Sequence, residues 1–453
     1  MSPRQSIVAA VLFVSALAFT ATHALAQSNY PSLGPGPVVV NNSYAPAGYG
    51  GGDPYASNLA QAGGWFGGGI PSLGNGFGGN GGFGNIMPGP MAIADRLWVR
   101  ADYLHWWTEG MDVPALVTTS PSGTPQTRAG VLGQPGTSTL FGGGEINNDS
   151  TSGIRLRSGF WLTPQGTVAI EGEYFQLLGD QNDGYRGSSN GTQILARPFF
   201  DISRGFETAQ LVSFPNSVSG SVGVTSNTDF KSFLINGRAG LCPIGICNAN
   251  GESDRIDWIV GYRYLRLDDS LGFTENLTSE IITAPGTIAI NERFRTKNEF
   301  NGLQLGVVHQ ANFKRAWLES LLRVAVGNNS QTIDISGNTA ITENGVTENY
   351  AGGLYAQRTN IGKFERDEFT MIPEVGFTLG IRVTDWLDAT VGYTMVYFPN
   401  VVRAGDQIDT DVNSNLLPPE GTPAVTDGLR PLFTPVENQY WAHGLNLGAE
   451  LRF

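Results

Sequence analysis

The stretch "WAHGLNLGAELRF", Trp441–Phe453, alternates strictly. Leu445, Leu447, Ala449, Leu451 and Phe453 fall on one side, and Gly444, Asn446, Gly448, Glu450 and Arg452 on the other. A period of two with one apolar side is the pattern of a β-strand. Such a strand exposes backbone donors and acceptors along both edges, so it needs a partner on each. The apolar side needs cover as well, from a core or from lipid.

Working outward from this stretch, the same alternation recurs from Leu97 onward. It appears in "LWVRADYLHWW", "SGIRLRSGFWL", "GTVAIEGEYFQLL", "FKSFLINGRAGL", "RIDWIVGYRYLRL", "EFNGLQLGVVHQ", "AWLESLLRVAVG", "EFTMIPEVGFTLGIRV" and "WLDATVGYTMVYF". These runs are longer than the five or six residues usual for soluble strands and suit a tilted membrane strand of roughly 9–11 residues. The joins alternate in length. Thr108–Thr151, Gly179–Asp229, Asp268–Asn298, Asn328–Asp367 and Pro399–Asn438 are long, whereas Thr163–Gly166, Ala311–Arg315 and Thr384–Asp385 are short. Outer-membrane barrels combine short periplasmic turns with long extracellular loops. The expected fold is therefore all-β: a transmembrane, antiparallel, up-and-down β-barrel of about ten strands, or twelve. The terminal strand then closes against the strand that starts near Leu97.

Composition agrees. Only 15% of the 453 residues are charged, against about a quarter in soluble domains. The net charge of −13 argues against nucleic acid as a partner. Residues 1–26 read as a signal peptide: Arg4 is followed by an apolar run, Ile7 to Phe19, and by the small-x-small site Ala24-Leu25-Ala26. Residues 27–93 form a Gly/Pro-rich low-complexity tail, expected to be exported with the barrel at 94–453. Cys242 and Cys247 are a candidate disulfide, with two free thiols the other reading.

Several segments resemble the outer-membrane family called putative beta-barrel porin 7. They are "YLHWWTEGMDVPALVTTSP", "GVLGQPGTSTLFGG", "GYRYLRLDD", "FNGLQLGV", "RVAVGNNSQTIDISG", "TNIGKFERDEFTMIPEVGFTLG" and "VGYTMVYFPNVVRAGDQID". The resemblance implies a porin-type barrel of the bacterial outer membrane and no catalytic residue. The aromatic-ended terminal strand also resembles the signal that barrel-assembly machinery reads. The expected partners are that machinery, outer-membrane lipid and small solutes.

Alternation turns twelve charged residues inward: Arg155, Arg157, Glu171, Glu173, Arg263, Glu319, Arg323, Glu374, Arg382, Asp388, Glu450 and Arg452. Two readings follow. In the leading one, a porin, these residues line a polar, mixed-charge lumen through which small solutes diffuse. In the other, they pair and fill a narrow barrel that is structural or adhesive and works through its surface loops. The short turns place Arg157 opposite Glu173 and Arg382 opposite Asp388, and the faces place Leu379 and Leu447 toward lipid. Between Val113 and Gly144 the only charge is Arg128. Val131, Leu132, Leu140 and Phe141 in this segment need cover, which makes it a candidate constriction loop. His105, His309 and His443 are scattered, and no nucleophile motif accompanies them, so no enzyme is expected. No cofactor or metal site is expected either: Asp406, Asp409 and Asp411 match no standard calcium loop.

Overall fold

The computed structural model describes residues 96–164, 166–178, 183–241, 254–281, 285–421 and 424–453. The expected signal peptide, the low-complexity tail and the Cys242–Cys247 pair lie outside the described residues. In chain order the strands are β1 (Leu97–Thr108), β2 (Met111–Thr119), β3 (Ser138–Ile146), β4 (Thr151–Trp161), β5 (Val168–Leu177), β6 (Gly184–Ser189), β7 (Leu195–Asp201), β8 (Phe206–Ser213), β9 (Val218–Gly240), β10 (Arg255–Ser279), β11 (Gly286–Asn312), β12 (Ala316–Glu343), β13 (Val346–Ala351), β14 (Gly362–Arg382), β15 (Leu387–Val401), β16 (Asp411–Val412) and β17 (Asn438–Arg452).

Ten of these close into an antiparallel barrel, in the order β1, β4, β5, β9, β10, β11, β12, β14, β15, β17 and back to β1. The alternating stretch from Trp441 lies in β17, which pairs with β15 on one edge and β1 on the other. Closure leaves neither edge bare. Short turns fix the register: Arg157 stands opposite Glu173, and Arg382 opposite Asp388. Some inward glycines make room for large neighbours. A Cβ on Gly380 would lie 2.0 Å from the indole of its cross-strand partner Trp317.

The wall is uneven in height. Strands β1, β4 and β5 have 12, 11 and 10 residues, whereas β9 to β12 have 23, 25, 27 and 28. Two segments expected as long loops, Asp268–Asn298 and Asn328–Asp367, are therefore largely wall. Alternation does continue there, with Leu271, Phe273 and Leu277 buried on β10. Its outward partners are polar, so the segment carries too little apolar residue to read as a membrane strand.

The outward face changes character at one level around the tall side. On β10 it runs Trp258, Val260, Tyr262, Tyr264 and then Arg266 and Asp268; on β14 it runs Leu379, Phe377, Met371, Phe369 and then Asp367. The same change falls between Phe233 and Lys231 on β9 and between Val326 and Asn328 on β12. Below it the wall is apolar, as a lipid-facing band requires. Above it, cross-linked charges such as Lys231–Asp229, Arg266–Asp268 and Lys297–Glu299 face outward.

Of the remaining strands, β6 pairs with β9 and β13 with β12 as extensions of the wall, and the other five form a second sheet, in the order β16-β7-β2-β3 with β8 on β7. Met111, Val113, Leu116, Val117, Leu195, Phe199 and Val212 of this sheet share one core with the inward residues Val222, Val224, Leu271, Phe273, Phe294, Ile333 and Ile335 of the wall. The sheet therefore lies inside the tall half of the barrel. Beside this sheet Gly130 has φ +74°, and a Cβ there would meet the Ala196 side chain at 2.2 Å.

Candidate functional site: the barrel lumen

The inward face of the wall is layered. Nearest the short turns lies a band of charge, built because every second residue of a strand points to the same side. Arg100 donates to Glu450 at 3.0 and 2.8 Å. Arg157 pairs with Glu173 and Glu319, both at 3.1 Å. Arg323 reaches Glu173 at 2.6 Å and Glu374 at 2.5 Å, and Arg263 reaches Glu374 at 2.8 Å. Arg155 pairs with Asp102 at 3.1 Å, and Arg238 bridges Glu171 and Asp257 at 2.8 and 2.6 Å. Asp388 accepts from the Trp317 indole at 2.7 Å and pairs with Arg452 at 2.9 Å.

Of the twelve inward charges read from the sequence, ten are no more than 7% exposed: Arg155, Arg157, Glu171, Glu173, Arg263, Glu319, Arg323, Glu374, Asp388 and Glu450. Arg452 is half-buried. Arg382 is exposed at the end of β14, and the partner opposite it, Asp388, is held by Arg452 and Trp317 instead. Side chains lining a water-filled pore would be accessible, whereas these are spent on one another across the lumen. Arg100, Asp102, Arg238 and Asp257 belong to the same network but escaped the sequence reading. Alternation in "LWVRADYLHWW" already marks the first two.

Above the charge lies an apolar belt. Leu104, Trp106, Phe175, Leu177, Phe230, Leu265, Leu267, Phe300, Ala325, Ile372, Val396, Phe398, Tyr440 and Ala442 form one buried cluster drawn from nine of the ten wall strands. Its rings meet at steep angles: Trp106 to Phe175 at 5.3 Å, Phe175 to Phe230 at 5.5 Å, and Phe230 to Tyr440, edge-on, at 4.9 Å. Such contacts each add about 0.5–1.5 kcal/mol beyond burial.

Above the belt sits the internal sheet, tied to the wall by buried polar contacts. Arg197 of β7 pairs with Glu275 of β10 and with Glu292 of β11, the latter at 2.7 Å, and lies 4.5 Å from the rings of both Phe273 and Tyr355. Arg403 pairs with Asp269 at 2.5 Å. The Asn298 amide clamps Val402, accepting from its N–H and donating to its C=O, both at 2.9 Å. The segment expected to constrict the mouth contributes β2 and β3: Val131 is buried, Leu132 is half-buried, and Leu140 and Phe141 pack against the shared core. Asp409 accepts from Arg430 and from the Leu432 N–H, both at 2.8 Å, and Asp406 accepts from Asn438. His105, His309 and His443 all occupy outward positions on the wall.

The model of the family described as Putative beta barrel porin-7 matches residues 98–453. The chain belongs to this family. The match covers the whole ring of this porin-7 barrel together with its internal sheet. No curated protein matches the chain significantly. Among solved structures, the outer membrane protease OmpT from Escherichia coli is 9% identical, over 80% of this chain and 97% of that one, with a TM-score of 0.35. The CymD monoaromatic hydrocarbon channel is 8% identical over 80% and 89%, with a TM-score of 0.18. An anion-selective porin from Comamonas acidovorans is 8% identical over 79% and 98%, with a TM-score of 0.11. At these scores the likenesses carry no argument about this chain. Family membership and the apolar outer band together locate the barrel in the outer membrane.

Proposed function

We propose that this porin-7 barrel has a filled lumen in its folded state and serves the outer membrane as a structural or adhesive scaffold, acting through its tall extracellular wall. The observation that carries this reading is the burial of the inward charges beneath an apolar belt. Free diffusion, the other reading of the sequence, needs a continuous path of water. Displacing the internal sheet would not supply one, because the belt and the charged band belong to the wall itself. The partners in this reading are lipid along the outer band and assembly machinery at β17, and the reading assigns the barrel no catalytic role. The test is planar-bilayer recording of the purified, folded protein. The expected trace shows no discrete conductance steps at ordinary potentials. Stable ohmic steps from correctly folded protein would restore the diffusion reading.

A further inference from the structure

At the short-turn mouth of the barrel is a cavity of about 230 Å³. Trp98, Arg100, Trp161, Arg238, Trp317, Glu319, Glu450 and Arg452 line it, and all occupy inward positions on their strands. Arg96, Leu97 and Phe453 edge it at the rim, so it opens at the short-turn end, the periplasmic side of such a barrel. Its walls are indoles with guanidinium groups laid against them. Arg100 lies 5.0 Å from the Trp317 ring, Arg238 5.6 Å from the Trp161 ring, and Arg255, outside the lining, 4.3 Å from the Trp161 ring.

Charge alone does not select a ligand here. Glu319 and Glu450 face the cavity with the arginines, and further partners stand behind both signs: Arg157 on Glu319, Glu171 and Asp257 on Arg238, Asp388 on Arg452. The unspent hydrogen-bonding capacity does select one. Glu450 accepts from Arg100 on one oxygen and from Arg452 on the other. Among the lining residues, the buried side-chain atoms left without a hydrogen-bond partner are Arg238 Nη2 and Arg100 Nη1, the latter within ion-pair distance of Glu319 at 3.6 Å but beyond a hydrogen bond. Both are charged donors, and a buried donor without an acceptor costs about 1–3 kcal/mol, more when charged. The missing component is an acceptor. Guanidinium groups match the oxygens of phosphate with directed, charge-assisted bonds. At about 30 Å³ per water, the cavity has room for such a group and a few waters.

We propose that this periplasmic mouth binds a small soluble oxyanion of the phosphate type, held by Arg100 and Arg238 between the indoles of Trp161 and Trp317. The site lies below the belt and does not depend on the lumen above being filled. The test is calorimetric titration of the folded, full-length barrel in detergent with sodium phosphate, against sodium chloride at matched ionic strength. Saturable one-to-one binding of phosphate is expected. Arg238→Lys keeps the charge facing Glu171 and Asp257 but removes the free N–H, and should weaken binding by at least about tenfold, the worth of one charge-assisted bond. Arg100→Lys serves the same purpose if that variant fails to fold. Phosphorus NMR line broadening on the wild-type protein gives a reading that needs no variant. Absence of saturable binding to the folded wild-type barrel, or equal affinity in a folded lysine variant, overturns the proposal; water alone then fills the site.

Discussion

The level at which the outward face turns from apolar to charged can be tested with one substitution made twice on the same strand. Leu305 and Asn291 both point outward from β11, and both are exposed. They are 14 residues apart, about 48 Å along a strand at roughly 3.4 Å per residue. A tilt of about 40° reduces that to about 36 Å along the membrane normal, more than the apolar band of about 25 Å. Leu305 lies inside the band, flanked by Val260 on β10 and Val324 on β12. Asn291 lies beyond it, between Thr274 and Asn338. Arginine near the midplane costs about 2–4 kcal/mol and close to zero outside the band. Leu305→Arg should therefore shift the folding equilibrium by about 30- to 900-fold, whereas Asn291→Arg should leave it nearly unchanged. Urea-dependent folding into lipid vesicles, read by heat-modifiable gel migration, measures both. Equal losses would refute the assignment of the band.

Three further outcomes are expected. Arg197→Met strips the partner from two buried carboxylates, Glu275 and Glu292, and should destabilise the internal sheet by about 3–5 kcal/mol; limited proteolysis should then cut between β2 and β3 while the barrel stays folded, and unchanged cleavage refutes the tie. Asn446→Arg should sharply lower folding yield, because Asn446 is buried, accepts from the Trp106 indole and donates to Thr394, both at 2.8 Å; a wild-type yield would mean an open lumen at that depth. Burial raises the Glu109 carboxyl, bonded by Gln439, from 4.5 to about 7. The folded chain keeps this proton where the unfolded chain has lost it, so the contribution to stability is full below about pH 4.5 and lost as pH rises through about 7. Melting temperature should fall across that window in the wild type and less so in Glu109→Gln; identical pH profiles would remove Glu109 from the account.

The wall was legible wherever alternation and short turns acted together. Leu447 and Leu379 are exposed outward while Asn446 and Thr378 are buried inward, as the period of two demands. The Arg157–Glu173 register follows from the tight turn between β4 and β5. The internal sheet was not legible, because "LARPFFD" of β7 is buried on both sides and carries a proline, so no alternation marks it. Glu275 and Glu292 were read as loop residues for the reason already given for their strands, which took the anchor of Arg197 out of view. Trp98, Trp106 and Trp317 are buried inward, whereas Trp107, Trp258 and Trp386 are exposed. Position near a strand end predicts an interface aromatic, but the parity of the residue decides which side it serves. Nor does alternation say how far a side chain reaches: it gives the direction of Arg323 but not that its guanidinium meets Glu173 from across the bore.

The seam between β17 and β1 places Arg100 opposite Glu450. A slip of one residue would turn every inward side chain outward, so the smallest slip that keeps the faces is two. In one direction it sets Arg100 against Arg452 and Asp102 against Glu450, two like-charge pairs at once. In the other it leaves Arg100 opposite Gly448 and brings Trp98 to Glu450. Like charges directly opposite destabilise a strand pair, and these would be shut inside a medium that screens poorly. The charges of the seam therefore act as a check on the closing step: a zipper mis-set in the first direction is repelled before it locks, one mis-set in the second forfeits the Arg100–Glu450 pair, and the native alignment alone keeps that pair as it completes the ring.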